Sequence, residues 1–389
     1  MSRADTTSIF QLKNQAPIYL MGLGHGATHW IAATFTILLP LMTEDLGLSY
    51  TEAGLLYSIF YVSSFAANFG SGVVVDVTGR KVIFQILSLV VGAGALAVFG
   101  ITGLYLVLAA MVALIGATNN LWHPPAIAFI SERYPDHRGY ALSIHATGAS
   151  VGDMIAPSLV GLLLISFSWQ GAAAVSTLPV LLVVLIFLFY LMPMDRPAPG
   201  VARKTMGVRE YFGGLGVLVR SRAVLGLCLM ASFRSTAQVG LVMFLPLYLY
   251  DVLKVSPWLM GLAITGMHLG GVIVSPIAGT ISDRIGRRPV VMSGLTATTI
   301  IILLLPFIPD ATVFITAVAV LGFVLYAVRP VIHSWMMDLA PPEVAASATS
   351  LLFGTQAALS VLMPLIGGAV ADAYGLKEVF YVIAGIMLV

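Results

Sequence analysis

Twelve apolar runs, most of them at least twenty residues long, account for nearly the whole chain. A helix needs about 20 apolar residues to cross the hydrocarbon core of a bilayer, where its backbone groups must bond to one another. Only 9% of the 389 residues are charged, whereas a soluble domain carries about a quarter. The sequence therefore predicts an all-α integral membrane protein. The predicted spans are residues 17–42, 51–77, 82–102, 104–131, 138–166, 169–193, 223–250, 256–282, 288–308, 311–338, 345–371 and 376–389; the last run is short and fits a truncated final helix.

Lysine and arginine are distributed unevenly between the predicted loops. If the N-terminus is cytoplasmic, fifteen of the 19 lie on the cytoplasmic side, and only Lys254 and Lys377 lie on the opposite side. Arg234 and Arg329 fall within spans. Because cytoplasmic loops are enriched in Lys and Arg, we expect a multi-pass protein of the cell (inner) membrane with a cytoplasmic N-terminus.

One long polar connection separates the first six spans from the last six. Residues 194–222 contain Pro197, Pro199, Gly200 and six basic residues, a composition typical of a linker. We predict an N-terminal six-helix domain over residues 1–193, a cytoplasmic linker over 194–222, and a C-terminal six-helix domain over 223–389.

The two predicted domains contain an internal repeat with a constant offset of 207 residues. Its shared element, G-x-x-x-D-x-x-G-R-[KR], ends spans 2 and 8 and resembles the signature loop motif of the major facilitator superfamily. The resemblance implies a fold of 12 transmembrane helices, in two six-helix halves around a central cavity, with this loop acting as a gate between conformations. The gating residues are Gly72, Asp76, Gly79, Arg80 and Lys81 in the first copy, and Gly279, Asp283, Gly286, Arg287 and Arg288 in the second. We expect Gly72 and Gly279 to permit close helix packing.

In that superfamily, the first and fourth helices of each half line the cavity, which corresponds here to spans 1, 4, 7 and 10. Each of these spans carries polar residues four positions apart, which share a helix face, and intramembrane polar residues are functional candidates by default. The predicted solute-binding residues are His25, His29, Trp30, Asn119, Asn120, His123, Arg234, Gln238, Tyr326, Arg329 and His333. Alternatively, individual members only form hydrogen bonds with neighbouring helices.

The two intramembrane arginines indicate the charge of the solute. An arginine keeps its proton, so Arg234 and Arg329 each need a counter-charge or water. No acidic residue lies at a matching depth on spans 7 or 10, which favours an anionic solute such as a carboxylate, phosphate or phosphonate. The alternative is that the arginines pair with Asp153 or backbone carbonyls and only brace the helices.

Asp153, His25 and His29 are the proton-coupling candidates. A histidine titrates near neutral pH, and a buried carboxylate can carry a proton, although Asp153 could equally form a fixed ion pair. For the histidines, hydrogen bonding to solute ranks first, proton relay second and metal binding last, so no metal site is predicted. His145 and His268 are expected to be packing or network residues.

The region 117–161 resembles the fosmidomycin-resistance-type branch of drug exporters within the superfamily. His123 and Pro124 supply a His-Pro pair; Arg138, Gly139, Ala141 and Ser143 supply the opening of span 5, and Gly148, Gly152 and Pro157 a Gly-rich motif. Two features depart from proton antiporters: Asn119 and Asn120 replace an arginine in span 4, and Asp153 rather than proline follows Gly152.

The sequence therefore predicts a secondary active transporter that exports a small anionic organic solute, coupled to protons, by alternating access. The alternative is an organic-anion uptake symporter or exchanger. We expect a monomer in the lipid bilayer, with solute and protons as partners, and with no cofactor, nucleic acid or catalytic residue. An intramembrane enzyme is disfavoured because G-x-S-x-G, H-E-x-x-H and nucleotide-binding glycine motifs are absent from the sequence. A transporter-like sensor would bind ligand without flux.

Overall fold

The computed structural model describes residues 12–195, 216, 218–340 and 345–388, which form helices and short turns without a strand. Each predicted span is helical in the structure, so the all-α fold is confirmed. The helices are α1 (Leu12–Asp45), α2 (Tyr50–Thr78), α3 (Val82–Phe99), α4 (Tyr105–Leu121), α5 (His123–Arg133), α6 (Arg138–Leu163), α7 (Trp169–Ile186), α8 (Arg222–Leu247), α9 (Pro257–Ile285), α10 (Arg287–Leu304), α11 (Ala311–Leu339), α12 (Ala345–Ser360), α13 (Leu362–Tyr374) and α14 (Leu376–Leu388). Most of the predicted linker lies outside the described residues.

Ten helical segments among the described residues are long and apolar enough to span a bilayer. The other two predicted spans correspond to α2 and α14. Helix α2 has 29 residues, but the side chains of residues 68–77 lie outside the description. Helix α14 has 13 residues, which corresponds to the short final run of the sequence.

Proline divides two of the predicted spans into two helices each. The run 104–131 becomes α4 and α5, which meet at Trp122, and a proline occupies the first turn of α5. The run 345–371 is similarly interrupted at Val361, three residues before Pro364. Because proline lacks an N–H and clashes with the preceding turn, the helix breaks or restarts just before it.

Side-chain caps fix the beginnings of several helices. Ser168, Ser221 and Ser256 accept hydrogen bonds from the backbone N–H groups of Gly171, Val224 and Leu259 at the starts of α7, α8 and α9. Such caps satisfy N–H groups that have no partner within the helix.

Large apolar side chains cover much of the outer helix surfaces. Phe189 is 75% exposed and Leu182 59% exposed, a distribution that suits acyl chains as the surrounding solvent.

The described chain divides into two compact units. Unit 1 comprises Met1–Phe35 and Val62–Pro199, and unit 2 comprises Thr36–Tyr61 and Gly200–Val389. Unit 2 therefore includes the end of α1 and the start of α2.

Contacts within unit 2 explain why the start of α2 belongs to it. Asp372 of α13 accepts hydrogen bonds from the backbone N–H groups of Tyr50 and Thr51, at 2.8 and 2.9 Å, and from the Thr51 hydroxyl at 2.5 Å. The Tyr50 hydroxyl donates to Asp251 at 3.0 Å. A carboxylate at a helix N-terminus is favourable because the exposed N–H groups carry partial positive charge.

Candidate functional site

Four histidine rings lie together inside unit 1. The His25 ring centroid is 4.9 Å from those of His29 and His123, in edge-to-face contact, and 4.0 Å from that of His145, with which it stacks. His25 and His145 are buried, and His29 and His123 are half-buried. The predicted cavity-lining residues of spans 1 and 4 therefore do meet.

Glycines of α1 and α6 let the two helices cross with their backbones in contact. A Cβ atom added at Gly148 would lie 2.0 Å from the carbonyl oxygen of Gly22, and one added at Gly152 would lie 2.3 Å from that of Gly26. These distances exclude any side chain. The Gly-rich motif of span 5 thus packs against span 1 and brings His145 and Asp153 beside His25 and His29.

Hydrogen bonds across this crossing fix the orientation of two rings. The Nδ1 atom of His25 lies 2.8 Å from the carbonyl oxygen of His145, and Nδ1 of His29 lies 2.9 Å from Oδ1 of Asp153. Since a carbonyl and a carboxylate oxygen only accept, each Nδ1 carries the proton. Asp153 thus bonds a histidine of its own unit. The Trp122 indole donates to Nε2 of His145 at 3.2 Å, so His145 belongs to a network, as the sequence predicted.

Three other predicted residues of unit 1 donate hydrogen bonds to backbone carbonyl groups of neighbouring helices. Trp30 donates to the carbonyl of Ser176 at 2.9 Å, and Asn120 donates to the carbonyl of Ser64 at 3.0 Å and also to its hydroxyl. Asn119 reaches the carbonyl of Thr28 at 3.5 Å, which is a weak bond. These contacts favour the interhelical alternative for Trp30 and Asn120.

Arg234 is the main charged group inside unit 2. Its side chain is 3% exposed, its Nη2 donates to the carbonyl of Leu325 at 2.8 Å, and its Nε is buried without a hydrogen-bond partner among the described residues. Within that part of the chain, no carboxylate forms an ion pair with Arg234 or Arg329. Among the described residues, the charge of Arg234 therefore has one backbone acceptor and no acidic partner.

A cleft in unit 2, too narrow in this structure to admit a water molecule, brings several predicted residues together. Arg234, Arg329 and His333 line it, together with Gln356 of α12. Arg329 is exposed, and the half-buried His333 ring contacts Phe353. Gln356 was missed by sequence reasoning; the available signal was a lone amide in an apolar run.

Tyr326 and Gln238 are close in sequence to residues of this cleft, but neither is among the residues that line it. The Tyr326 hydroxyl is 3.2 Å from Nδ1 of His268, so His268 is part of a side-chain network as expected. Gln238 is half-buried, one turn after Arg234 on α8.

The second copy of the repeated loop is held by one arginine. Arg287 forms ion pairs with Asp283 and, at 2.9 Å, with Asp338, and it also donates to Ser282 at 2.7 Å. Gly286 has φ +95°, which L side chains rarely adopt. Arg288 is exposed.

Gly279 does not have the packing role expected from the sequence. A Cβ added there would meet no described atom within 4 Å, so glycine is not required at that point for close helix approach. The reason is that Gly279 faces open space in the described structure.

The structure describes the first copy of the loop only in part. Gly72 and Asp76 belong to residues 68–77, whose side chains are outside the described part of the chain. Gly79, directly after the last residue of α2, has φ +66°, and Arg80 is exposed. Lys81 pairs with Glu132 at 2.6 Å. The carboxylate of Asp195 accepts from the backbone N–H groups at the start of α3, a role that the sequence did not reveal.

Comparisons with known proteins agree with this architecture. A family model described as Major Facilitator Superfamily matches residues 21–268 and 253–389. The Multidrug resistance protein MdtG of Citrobacter koseri is 26% identical over 366 residues, which cover 90% of this chain and 87% of that protein. The protein of the same name from Klebsiella pneumoniae is 26% identical over 405 residues, which cover 100% and 94%.

Two solved structures share the fold. A bacterial homolog to the human lysosomal transporter Spinster aligns with a TM-score of 0.79 and 16% identity, covering 96% of this chain and 95% of that chain. The nucleoside transporter NupG aligns with a TM-score of 0.77 and 14% identity, covering 95% and 96%. At these identities the two structures support the fold alone.

Proposed function

Because the chain belongs to the Major Facilitator Superfamily, and is therefore a membrane transport protein rather than an enzyme, we propose that it exports a small anionic organic solute by proton-coupled alternating access. We further propose that it does so as a monomer in the cell (inner) membrane, with its N-terminus in the cytoplasm. The basic loops of the sequence support that orientation.

The charge of Arg234, which has no acidic partner among the described residues, carries the proposal of an anionic solute. A guanidinium inside a membrane protein is costly unless water, a counter-charge or a ligand stabilises it. Arg234 has one described hydrogen bond and shares its cleft with Arg329 and His333. Guanidinium groups present planar, paired donors that match carboxylate, phosphate and phosphonate oxygens. A solute of that chemistry would supply the missing counter-charge.

We assign supporting roles to the other predicted residues. Within unit 2, Gln238, Tyr326 and His333 would donate to the solute. The loop residues around Gly79 and Gly286 would act as a conformational gate, in which Arg287 holds one state through Asp283 and Asp338.

Export is proposed rather than uptake because of the relatives. The MdtG proteins are named for multidrug resistance, and the resemblance of His123, Pro124 and the Gly148–Pro157 stretch to a drug-exporter branch points in the same direction. Organic-anion uptake or exchange is the second candidate, and it is favoured by the same arginines.

A proton gradient is the proposed energy source because the sequence contains no nucleotide-binding glycine loop. Flux should stop when an ionophore collapses the pH gradient across everted vesicles. Flux that continued unchanged after that collapse would contradict the coupling.

A binding screen tests the charge of the solute. Purified protein is titrated with organic acids, phosphonates and cationic drugs of similar size. We expect anions to bind, and Arg234→Gln to weaken binding about 10- to 100-fold, because a hydrogen bond to a charged group contributes about 1.5–3 kcal/mol. Arg222→Gln, an exposed arginine at the start of the same helix, is the matched control. Tight binding of cations alone would contradict the proposal.

A further inference from the structure

The histidine cluster of unit 1 has the geometry of an incomplete metal site. The ligand atoms of His25, His29 and His123 all lie within 4.8 Å of one another. In a tetrahedral zinc site with Zn–N bonds of about 2.0–2.1 Å, ligand atoms are roughly 3.4 Å apart. Ligand atoms that lie up to 4.8 Å apart would therefore have to approach one another by at most about 1.4 Å around an ion.

Two of the three rings have their Nδ1 atoms bonded to oxygen acceptors. Nδ1 of His25 donates to the His145 carbonyl and Nδ1 of His29 donates to Asp153, so in the neutral form of each ring the lone pair lies on Nε2. The Nε2 of His25 is buried and has no hydrogen-bond partner among the described residues, and the residue is only 5% exposed. A buried, unpartnered lone pair costs free energy that a ligand would recover.

The hydrogen-bond acceptors at Nδ1 of His25 and His29 are of the kinds that metal-binding histidines use. Such histidines almost always donate their other N–H to a carboxylate or a backbone carbonyl, which fixes the tautomer and increases ligand basicity. Asp153 and the His145 carbonyl supply one of each. The ring of His145 does not point a free lone pair at the cluster, because its Nε2 accepts from Trp122.

The surrounding helices hold this arrangement in place. His25 and His29 are one turn apart on α1, beside the close crossing of Gly22 and Gly26 with Gly148 and Gly152. His123 begins α5, directly after the fully buried Trp122. Helices α1 and α5 therefore carry the three rings, and α6 supplies the acceptors at Nδ1 of two of them.

We propose that His25, His29 and His123 bind a divalent transition-metal ion of the zinc type, with Asp153 and the His145 carbonyl as positioning groups. Imidazole nitrogens suit Zn²⁺, Ni²⁺, Co²⁺ and Cu²⁺ rather than Mg²⁺ or Ca²⁺. Three protein ligands leave a fourth position for water or another ligand. This role differs from the sequence prediction, which ranked metal binding last for these histidines. It does not depend on the proposed solute or on transport direction.

Zinc binding to the full chain, purified without a polyhistidine tag, tests the site. Chelator-treated protein is dialysed against Zn²⁺, and bound metal is measured by elemental analysis and calorimetry. We expect one tight site per chain. His25→Gln, His29→Gln and His123→Gln should each weaken binding more than 100-fold, and Asp153→Asn 10- to 100-fold, the range typical of such positioning groups. His137→Gln, in the exposed turn between α5 and α6, is the matched control and should bind like wild type.

Co²⁺ provides a second measurement on the unmodified protein, in case a variant fails to fold. Bound Co²⁺ should show the intense visible bands of four- or five-coordinate imidazole ligation, and Zn²⁺ should displace it. Absence of stoichiometric Zn²⁺ binding, a Co²⁺ spectrum like that of the hydrated ion, or folded histidine variants that keep wild-type affinity would each overturn the proposal.

Discussion

Arg234 and Arg329 show how differently two intramembrane arginines can be placed. Arg234 is 3% exposed, whereas Arg329 is exposed, although both line the cleft that contains His333. The sequence identified both as unusual charges, since arginine rarely lies within a span. Their different burial depends on the rotation of α8 and α11, which a polar residue on an apolar helix does not specify by itself.

The histidines also show which features of the site the sequence alone does not determine. The four-residue spacing of His25 and His29 predicts a shared helix face. Their hydrogen bonds to the His145 carbonyl and Asp153 depend on how α1 crosses α6, over a separation of more than a hundred residues. Sequence could therefore name the candidates but not their tautomers or their convergence.

Asp372 gives a stability prediction at the level of one side chain. Asp372→Ala removes three hydrogen bonds at the start of α2 and should destabilise the protein by about 1–2 kcal/mol, the usual cost of losing a helix cap. Thermal unfolding of the purified protein measures the change. Asp136→Ala, an exposed carboxylate in a surface turn, should have little effect; an equal loss in both variants would contradict the capping role.

At the level of the helix, the crossing of α1 and α6 depends on glycine. Gly148→Ala would place a methyl group 2.0 Å from the carbonyl oxygen of Gly22, so the helices must move apart at a cost of about 1–3 kcal/mol or more. We expect less folded protein and a lower unfolding temperature. Gly94→Ala, where a Cβ would meet nothing within 4 Å, is the control and should leave stability unchanged or slightly higher.

The second loop motif allows a paired test of two glycines. Gly286→Ala forces alanine into a backbone with φ +95° and ψ 158°, a region adopted almost only by glycine, and should cost about 1–3 kcal/mol. Gly279→Ala should be tolerated, because space is available and its backbone is helical. Thermal unfolding of both variants tests at which of the two positions the fold requires glycine. Intolerance of Gly279→Ala together with tolerance of Gly286→Ala would reverse this assignment.

Helices were the most predictable level of the fold. Each apolar run became helix, because the apolar interior of a bilayer favours no other open structure. The breaks at Trp122 and Val361 were not anticipated, although Pro124, Pro125 and Pro364 follow them closely. Whether a helix restarts before a proline or continues with a kink depends on its packing against neighbouring helices. The local sequence does not specify that packing.

For the whole molecule, the basic loops predict which side of the membrane each connection faces. In a Cys228→Ser background, Asp136→Cys should react with an impermeant maleimide only after the cells are permeabilised. Gly103→Cys, in the exposed connection between α3 and α4, should react in intact cells. The opposite pattern of labelling would reverse the proposed orientation.

The family follows from the whole chain, whereas the solute depends on a few side chains. Repeated loops and apolar runs specify the superfamily fold, which supports many different substrates. The charge of the solute depends mainly on Arg234, and the proposed metal site on three histidines.

Solute flux in everted membrane vesicles is the most direct test of the central claim. Wild type, Arg234→Gln and the control Arg222→Gln are compared for uptake of organic anions into everted vesicles under an imposed pH gradient. We predict gradient-dependent anion flux by wild type and Arg222→Gln, and its loss in correctly folded Arg234→Gln. Equal anion flux by all three proteins, or flux of cations only, would contradict the account.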